Sequence, residues 1–101
     1  MSNRSFLSIL KLLILSVVLA FTSNVYADPI KAAFVYIGPT GDHGWTYAHH
    51  QGAQYVKKMM GDDVMITEIE SVPENSDSER VITSLARKND IIFTTSFGYM
   101  N

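Results

Sequence analysis

The chain has 101 residues, with 8 basic and 10 acidic side chains, a formal net charge of −2 and no cysteine. The lack of cysteine excludes disulfide bonds, thiolate metal sites and cysteine nucleophiles. Nucleic-acid binding is disfavoured because it requires clustered Lys and Arg, and basic residues adjoin only at Lys57-Lys58 and Arg87-Lys88.

Residues 1–27 have the three-part pattern of a secretory signal peptide. Arg4 lies near the start, an apolar run extends from Leu12 to Phe21, and Val25-Tyr26-Ala27 fits an A-x-A-like cleavage site. A run of this length forms only about 15 Å of helix, against roughly 30 Å for the hydrocarbon core of a membrane. We therefore expect cleavage before Asp28, a periplasmic location and a mature protein that is not embedded in the membrane.

Residues 28–101 alternate between strand-like and helix-like patterns. Three short runs rich in β-branched and aromatic residues predict strands, and two segments with apolar residues at helical spacing predict helices. The predicted strands are Ile30–Ile37, Val64–Ile69 and Ile91–Thr95, and the predicted helices are Trp45–Met60, ended by Gly61, and a segment that begins with a capping box at Ser76 and Glu79. The predicted inward faces are Trp45, Ala48, Gly52, Tyr55, Val56 and Met59 on the first helix, and Val81, Ile82, Leu85 and Ala86 on the second.

This β-α-β-α-β order predicts an α/β fold with a doubly wound parallel sheet. In the strand order 2-1-3 the two connecting helices lie on opposite faces of the sheet, and the first strand lies in the middle. The third strand is then an edge with apolar surface uncovered. We therefore expect residues 28–101 to be an incomplete N-terminal lobe of a longer protein.

Ligands of open α/β sheets bind beyond the carboxyl ends of the strands, where the winding direction changes. Here that point lies between the first and third strands, where the loops 38–45 and 96–101 meet. Their aromatic and hydrogen-bonding side chains suit a planar heterocycle. For Trp45 and Phe97 the alternative interpretation is packing in the core.

Three other site types are disfavoured by spacing. Gly38, Gly41 and Gly44 match neither the dinucleotide fingerprint nor the phosphate loop. The adjacent His49 and His50 diverge by about 100° on a helix and are a poor start for a metal site, so we expect no metal and no cofactor. A hydrolytic group of Asp42 and His43 with Ser96 or Thr46 would require a nucleophile elbow, which the sequence lacks.

The loop after the first predicted strand resembles that of the basic membrane protein family of ABC-transporter substrate-binding proteins. That family has a strand, an Asp-x-Ser/Gly-aromatic-Asn loop and a helix with a central Gly. Here Asp42, Gly44, Trp45 and Gly52 occupy the motif positions, and Thr46 replaces the Asn.

A second family motif, Gly-aromatic-x-aromatic-x-Asp, follows the third strand. Phe97 and Tyr99 match its aromatic positions, Ser96 stands for the Gly and Asn101 for the Asp. The resemblance implies a type I periplasmic-binding-protein fold, and no enzymatic activity.

By this resemblance the protein is the substrate-binding component of an ABC importer, which binds a purine base or nucleoside in an interlobe cleft and delivers it to a permease in the inner membrane. The ligand-binding residues implied are Asp42, Gly44, Trp45, Thr46, Phe97 and Asn101. The amide of Asn101 both donates and accepts, as a purine edge requires. Two alternatives stay open: a sugar or amino-acid receptor of the same fold, and an exported α/β hydrolase.

Overall fold

The computed structural model describes residues 3–22 and 27–100. An N-terminal helix precedes an alternating β-α-β-α-β segment, and short 3-10 helices occupy residues 61–63 and 97–99. The elements are α1 (Asn3–Thr22), β1 (Ile30–Val35), α2 (Trp45–Met60), β2 (Val64–Ile69), α3 (Ser76–Ala86) and β3 (Ile91–Thr94).

The three strands form one parallel sheet in the order β2-β1-β3, which confirms the predicted α/β fold and strand order. Residues 32–36 are buried, so the central strand is covered on both faces. β1 nevertheless ends at Val35, two residues before the predicted Ile37, because its neighbour β3 ends at Thr94, directly opposite Val35. Beyond that point Ile37 is exposed.

The two connecting helices cover opposite faces of the sheet. Ala32 and Phe34 of β1, and Tyr36 directly after it, pack with Ala53 of α2 in one core cluster, which also includes Val64. On the other face Val81 and Leu85 of α3 line a groove together with Ile69 of β2. Ile69 lies directly opposite the fully buried Val35 in the sheet. Ala86, predicted to point inward, is exposed.

The predicted inward face of α2 was wrong by about one residue. Ala48, Gly52, Tyr55 and Met59 are exposed, and of the predicted set only Val56 packs against the core cluster. The face turned to the sheet consists of Thr46, His49, His50, Ala53 and Val56. One residue corresponds to about 100° around a helix. The sheet-facing side includes the polar residues Thr46, His49 and His50, so a pattern based on apolar residues alone predicted the wrong face.

The start of α3 also differs from the sequence-based expectation. The N-cap is Asn75, whose Oδ1 accepts the backbone N–H of Asp77 at 2.8 Å. The main-chain oxygen of Asn75 also accepts from the backbone N–H and the hydroxyl of Ser78. Asn caps helices as well as Ser does. Asn75, whose backbone is extended, is therefore the N-cap residue in place of the predicted Ser76.

The described side chains of α1, residues 3–17, are all exposed. Among residues 3–22 and 27–100, no helix combines the length and the apolar character that a membrane crossing requires. The predicted cleavage site includes Val25 and Tyr26, which lie outside the described residues.

Candidate ligand-binding site

The loops that follow β1 and β3 meet at the carboxyl edge of the sheet, as the strand order requires. The indole Nε1–H of Trp45, the first residue of α2, donates to the main-chain oxygen of Thr95 at 2.7 Å. Thr95 is itself fixed to the end of β1, because its hydroxyl donates to the main-chain oxygen of Val35 at 2.8 Å. Trp45 is therefore connected to the middle strand of the sheet through Thr95.

A pocket of about 330 Å³ opens where these loops meet. It is lined by Trp45, His49, Thr94, Thr95, Ser96, Phe97 and Met100. The two aromatic rings are largely uncovered, with 58% of Trp45 and 86% of Phe97 exposed. An exposed Trp and Phe at one pocket provide flat apolar surface to a ligand.

The carboxylate of Asp42 holds together the loop before α2. Its Oδ1 accepts the backbone N–H groups of Gly44 at 2.8 Å and Tyr47 at 2.9 Å, and its Oδ2 accepts that of Thr46 at 3.2 Å. These bonds, led by the one from Gly44, hold the pKa of Asp42 below its ordinary value. The carboxylate therefore takes the place of a helix cap and satisfies amide groups that α2 leaves unpaired.

Thr46 is also occupied within the protein. It is fully buried, and its hydroxyl oxygen accepts the backbone N–H of Gly38 at 3.2 Å. This bond connects the first turn of α2 to the loop that follows β1. The structure thus brings Trp45 and Phe97 to the pocket, whereas Asp42, Gly44 and Thr46 shape the loop behind it.

Asn101, the remaining predicted ligand residue, lies outside the described residues. The pocket includes residues that the sequence analysis did not assign to ligand binding, notably His49 and Met100. The helical spacing of Trp45 and His49, four positions apart on α2, is the signal that could have identified His49, since residues four apart lie on one helix face.

The loop after β3 is fixed by contacts with the loop after β2. The hydroxyl of Tyr99 donates to the main-chain oxygen of Val72 at 2.7 Å, and the hydroxyl of Ser96 donates to the Glu74 carboxylate. The Glu74 side chain lies so close to Gly98 that a Cβ at this position would overlap it. Tyr99 therefore supports the loop, and Phe97 is left free to face the pocket.

The three histidines lie in different surroundings. His49 contacts the Trp45 ring, with 4.9 Å between the ring centroids, and His43 lies beside Tyr47. The Nδ1 of His50 lies 2.6 Å from Oε1 of Glu68, which also accepts the hydroxyl of the buried Tyr36. Burial, followed by this bond to Glu68, raises the pKa of Tyr36.

The arrangement weighed for a hydrolase is not formed within residues 27–100. Both oxygens of Asp42 accept backbone amides. The candidate nucleophiles are bonded elsewhere, Ser96 to Glu74 and Thr46 to Gly38. Asp42, Ser96 and Thr46 therefore make contacts within the protein and do not form a hydrolytic group in this segment.

Comparison with known proteins gives two curated relatives. The chain is 49% identical over 75 residues to a purine-binding protein of Brucella abortus, a match that covers 73% of the chain and 21% of that protein. It is 41% identical over 75 residues to an ABC transporter glucose-binding protein of Haloferax volcanii, covering 73% of the chain and 19% of that protein.

The chain therefore spans about a fifth of the length of the curated relatives that it matches. No family model matches the chain. Both relatives are named as binding proteins. Together with the parallel sheet of order β2-β1-β3, these two matches support the predicted resemblance to substrate-binding proteins of the basic membrane protein type.

Proposed function

We propose that this protein is the exported substrate-binding component of an ABC importer and that it binds a purine base or nucleoside. In this proposal residues 1–27 are a cleaved signal peptide, and residues 28–101 form part of the N-terminal lobe. The ligand lies in a cleft between this lobe and a second one, and a permease in the inner membrane receives it from the periplasm. No bond of the ligand is made or broken.

The observation that carries the proposal is the pair of exposed aromatic rings, Trp45 and Phe97, at one pocket beyond the carboxyl ends of β1 and β3. Purine bases present two flat faces, and stacking on an aromatic side chain contributes about 1 to 3 kcal/mol per base in proteins that bind single-stranded nucleic acid. The Brucella relative is named as a purine-binding protein, which supports the same ligand class.

A sugar is the second candidate, since the Haloferax relative is named for glucose. A sugar presents many hydroxyls and requires several directed polar partners, for which carboxylates and amides are well suited. Among the described residues that line the pocket there is neither a carboxylate nor an amide side chain. The exposed aromatic rings of Trp45 and Phe97 in this lining favour the flat purine.

Titration calorimetry on the full-length protein tests the proposal, with adenine, adenosine, guanosine and glucose as separate ligands. We expect tight binding of at least one purine compound and no heat from glucose. Binding of glucose without binding of any purine would refute the ligand class and leave the receptor fold intact.

Asn101 provides a second measurement on the same protein. Asn101→Asp removes a donor and keeps an acceptor, so we expect it to change the ranking of the purines without abolishing binding. Equal losses for every purine would contradict a direct contact between this side chain and the purine edge.

A further inference from the structure

Trp45 is held at two points of its ring although more than half of it is exposed. Its Nε1–H is bonded to the main-chain oxygen of Thr95 at 2.7 Å. The ring of His49 meets it at an interplanar angle of 66°, with 4.9 Å between centroids. Such an edge-to-face contact is a favoured geometry for aromatic pairs.

These two contacts replace the packing that fixes a buried Trp. A ring that is 58% exposed has few neighbours to restrict its side-chain torsions. The acceptor at Thr95 is rigid, because Thr95 is buried and both its amide and its hydroxyl donate to the main-chain oxygen of Val35, at 3.2 and 2.8 Å. Val35 is a fully buried residue of the middle strand.

We infer that Thr95 and His49 are positioning residues that hold the Trp45 indole as a preformed wall of the pocket. The inference rests on the proposed function and extends it. Because the indole N–H is already bonded, Trp45 offers the ligand its aromatic face and no hydrogen bond. The wall therefore selects a flat ring, and the polar edge of the ligand is bound by other groups.

Preorganisation gives this arrangement its effect on affinity. A ring that is already fixed loses little conformational freedom when the ligand stacks on it. Removal of the edge contact of His49 frees the ring, and aromatic pairs of this kind contribute about 0.5 to 1.5 kcal/mol, which corresponds to about 2- to 12-fold in affinity.

Two matched pairs of variants in the full-length protein test the inference. His49→Ala removes the edge contact, whereas His49→Phe keeps a ring at the same place. Thr95→Val removes the hydroxyl that bonds to Val35, whereas Thr95→Ser keeps it. Each protein is labelled with 5-fluorotryptophan, and the Trp45 signal is identified by its loss in Trp45→Phe.

We expect the Trp45 fluorine signal of His49→Ala and Thr95→Val to show increased ring mobility without ligand. Adenine binding should weaken about 2- to 12-fold in His49→Ala, and it should also weaken in Thr95→Val. His49→Phe and Thr95→Ser should bind adenine within about twofold of the unmodified protein, since each keeps the contact. A merely structural role would lower the melting temperature and leave the affinity of the folded protein unchanged.

Unchanged mobility of the Trp45 ring in both His49→Ala and Thr95→Val would overturn the inference, whichever ligand the protein binds. Equal loss of affinity in His49→Phe and His49→Ala would also overturn it for His49, because His49 would then contact the ligand itself. If Thr95→Val does not fold, the His49 pair decides alone. If the unmodified protein binds no purine, the proposed function fails, and ring mobility still decides whether the indole is held.

Discussion

Thr46→Val separates two roles for a residue that the family resemblance places in the ligand site. In the structure Thr46 is fully buried, and its hydroxyl oxygen accepts the backbone N–H of Gly38 at 3.2 Å. Val keeps the branched shape and removes the acceptor. Gly38 is half-buried, so water reaches its N–H only in part, and we expect a loss of about 1 to 2 kcal/mol in the free energy of unfolding.

Urea unfolding of the full-length protein measures this loss, and calorimetry measures ligand affinity in parallel. Thr46→Ser is the matched control, since it keeps the oxygen and loses only a methyl group. Hydrogen exchange at the Gly38 amide should be faster in Thr46→Val and unchanged in Thr46→Ser. Loss of at least tenfold in purine affinity by Thr46→Val, with unchanged unfolding, would show instead that the hydroxyl binds the ligand.

Four further predictions follow from the fold and the site. Trp45→Ala and Phe97→Ala should each weaken purine binding by about 1 to 3 kcal/mol in calorimetry on the full-length protein; loss of stability without loss of affinity would indicate packing instead. The pKa of Asp42 is lowered in the folded state, so the stability that it provides is present above its unfolded pKa and is lost as the pH falls through the folded one; Asp42→Asn should flatten the acid limb of a pH–stability profile, and an unchanged limb would contradict the cap. N-terminal sequencing of exported protein should begin at Asp28, and a retained Met1 would refute signal cleavage. Residues 28–101 expressed alone should bind hydrophobic dyes, because Ile91 and Phe93 of β3 are 44% and 43% exposed; a sharp cooperative melt would show that this segment is a complete folding unit.

The sequence alone determined the order of the elements and the topology of the sheet. Strands such as Val64–Ile69 are short apolar runs bounded by turn residues, and Gly61 ends α2 with a backbone angle φ of 53°, which glycine adopts without strain. Once these elements alternate, right-handed crossovers leave few arrangements. The meeting of the loops after β1 and β3 followed from that arrangement.

The tertiary structure decided which residues face the sheet and which side chains serve the ligand. Thr46 and His50 lie on the sheet-facing side of α2, where Gly38 and Glu68 provide partners for them. These partners lie outside the helix, so a periodic pattern of apolar residues within it cannot reveal them.

The tertiary structure also decided the roles of the side chains within the motif Asp42 to Thr46. A motif records which residue types stand at a position, but not whether their polar atoms are directed to a ligand or to the backbone. In the folded chain Asp42 and Thr46 satisfy backbone amides that would otherwise lack partners, and Trp45 is held beside Thr95 with its ring exposed. The sequence determined where the pocket forms, and hydrogen bonds made in the folded chain decided which of its residues remain free for a ligand.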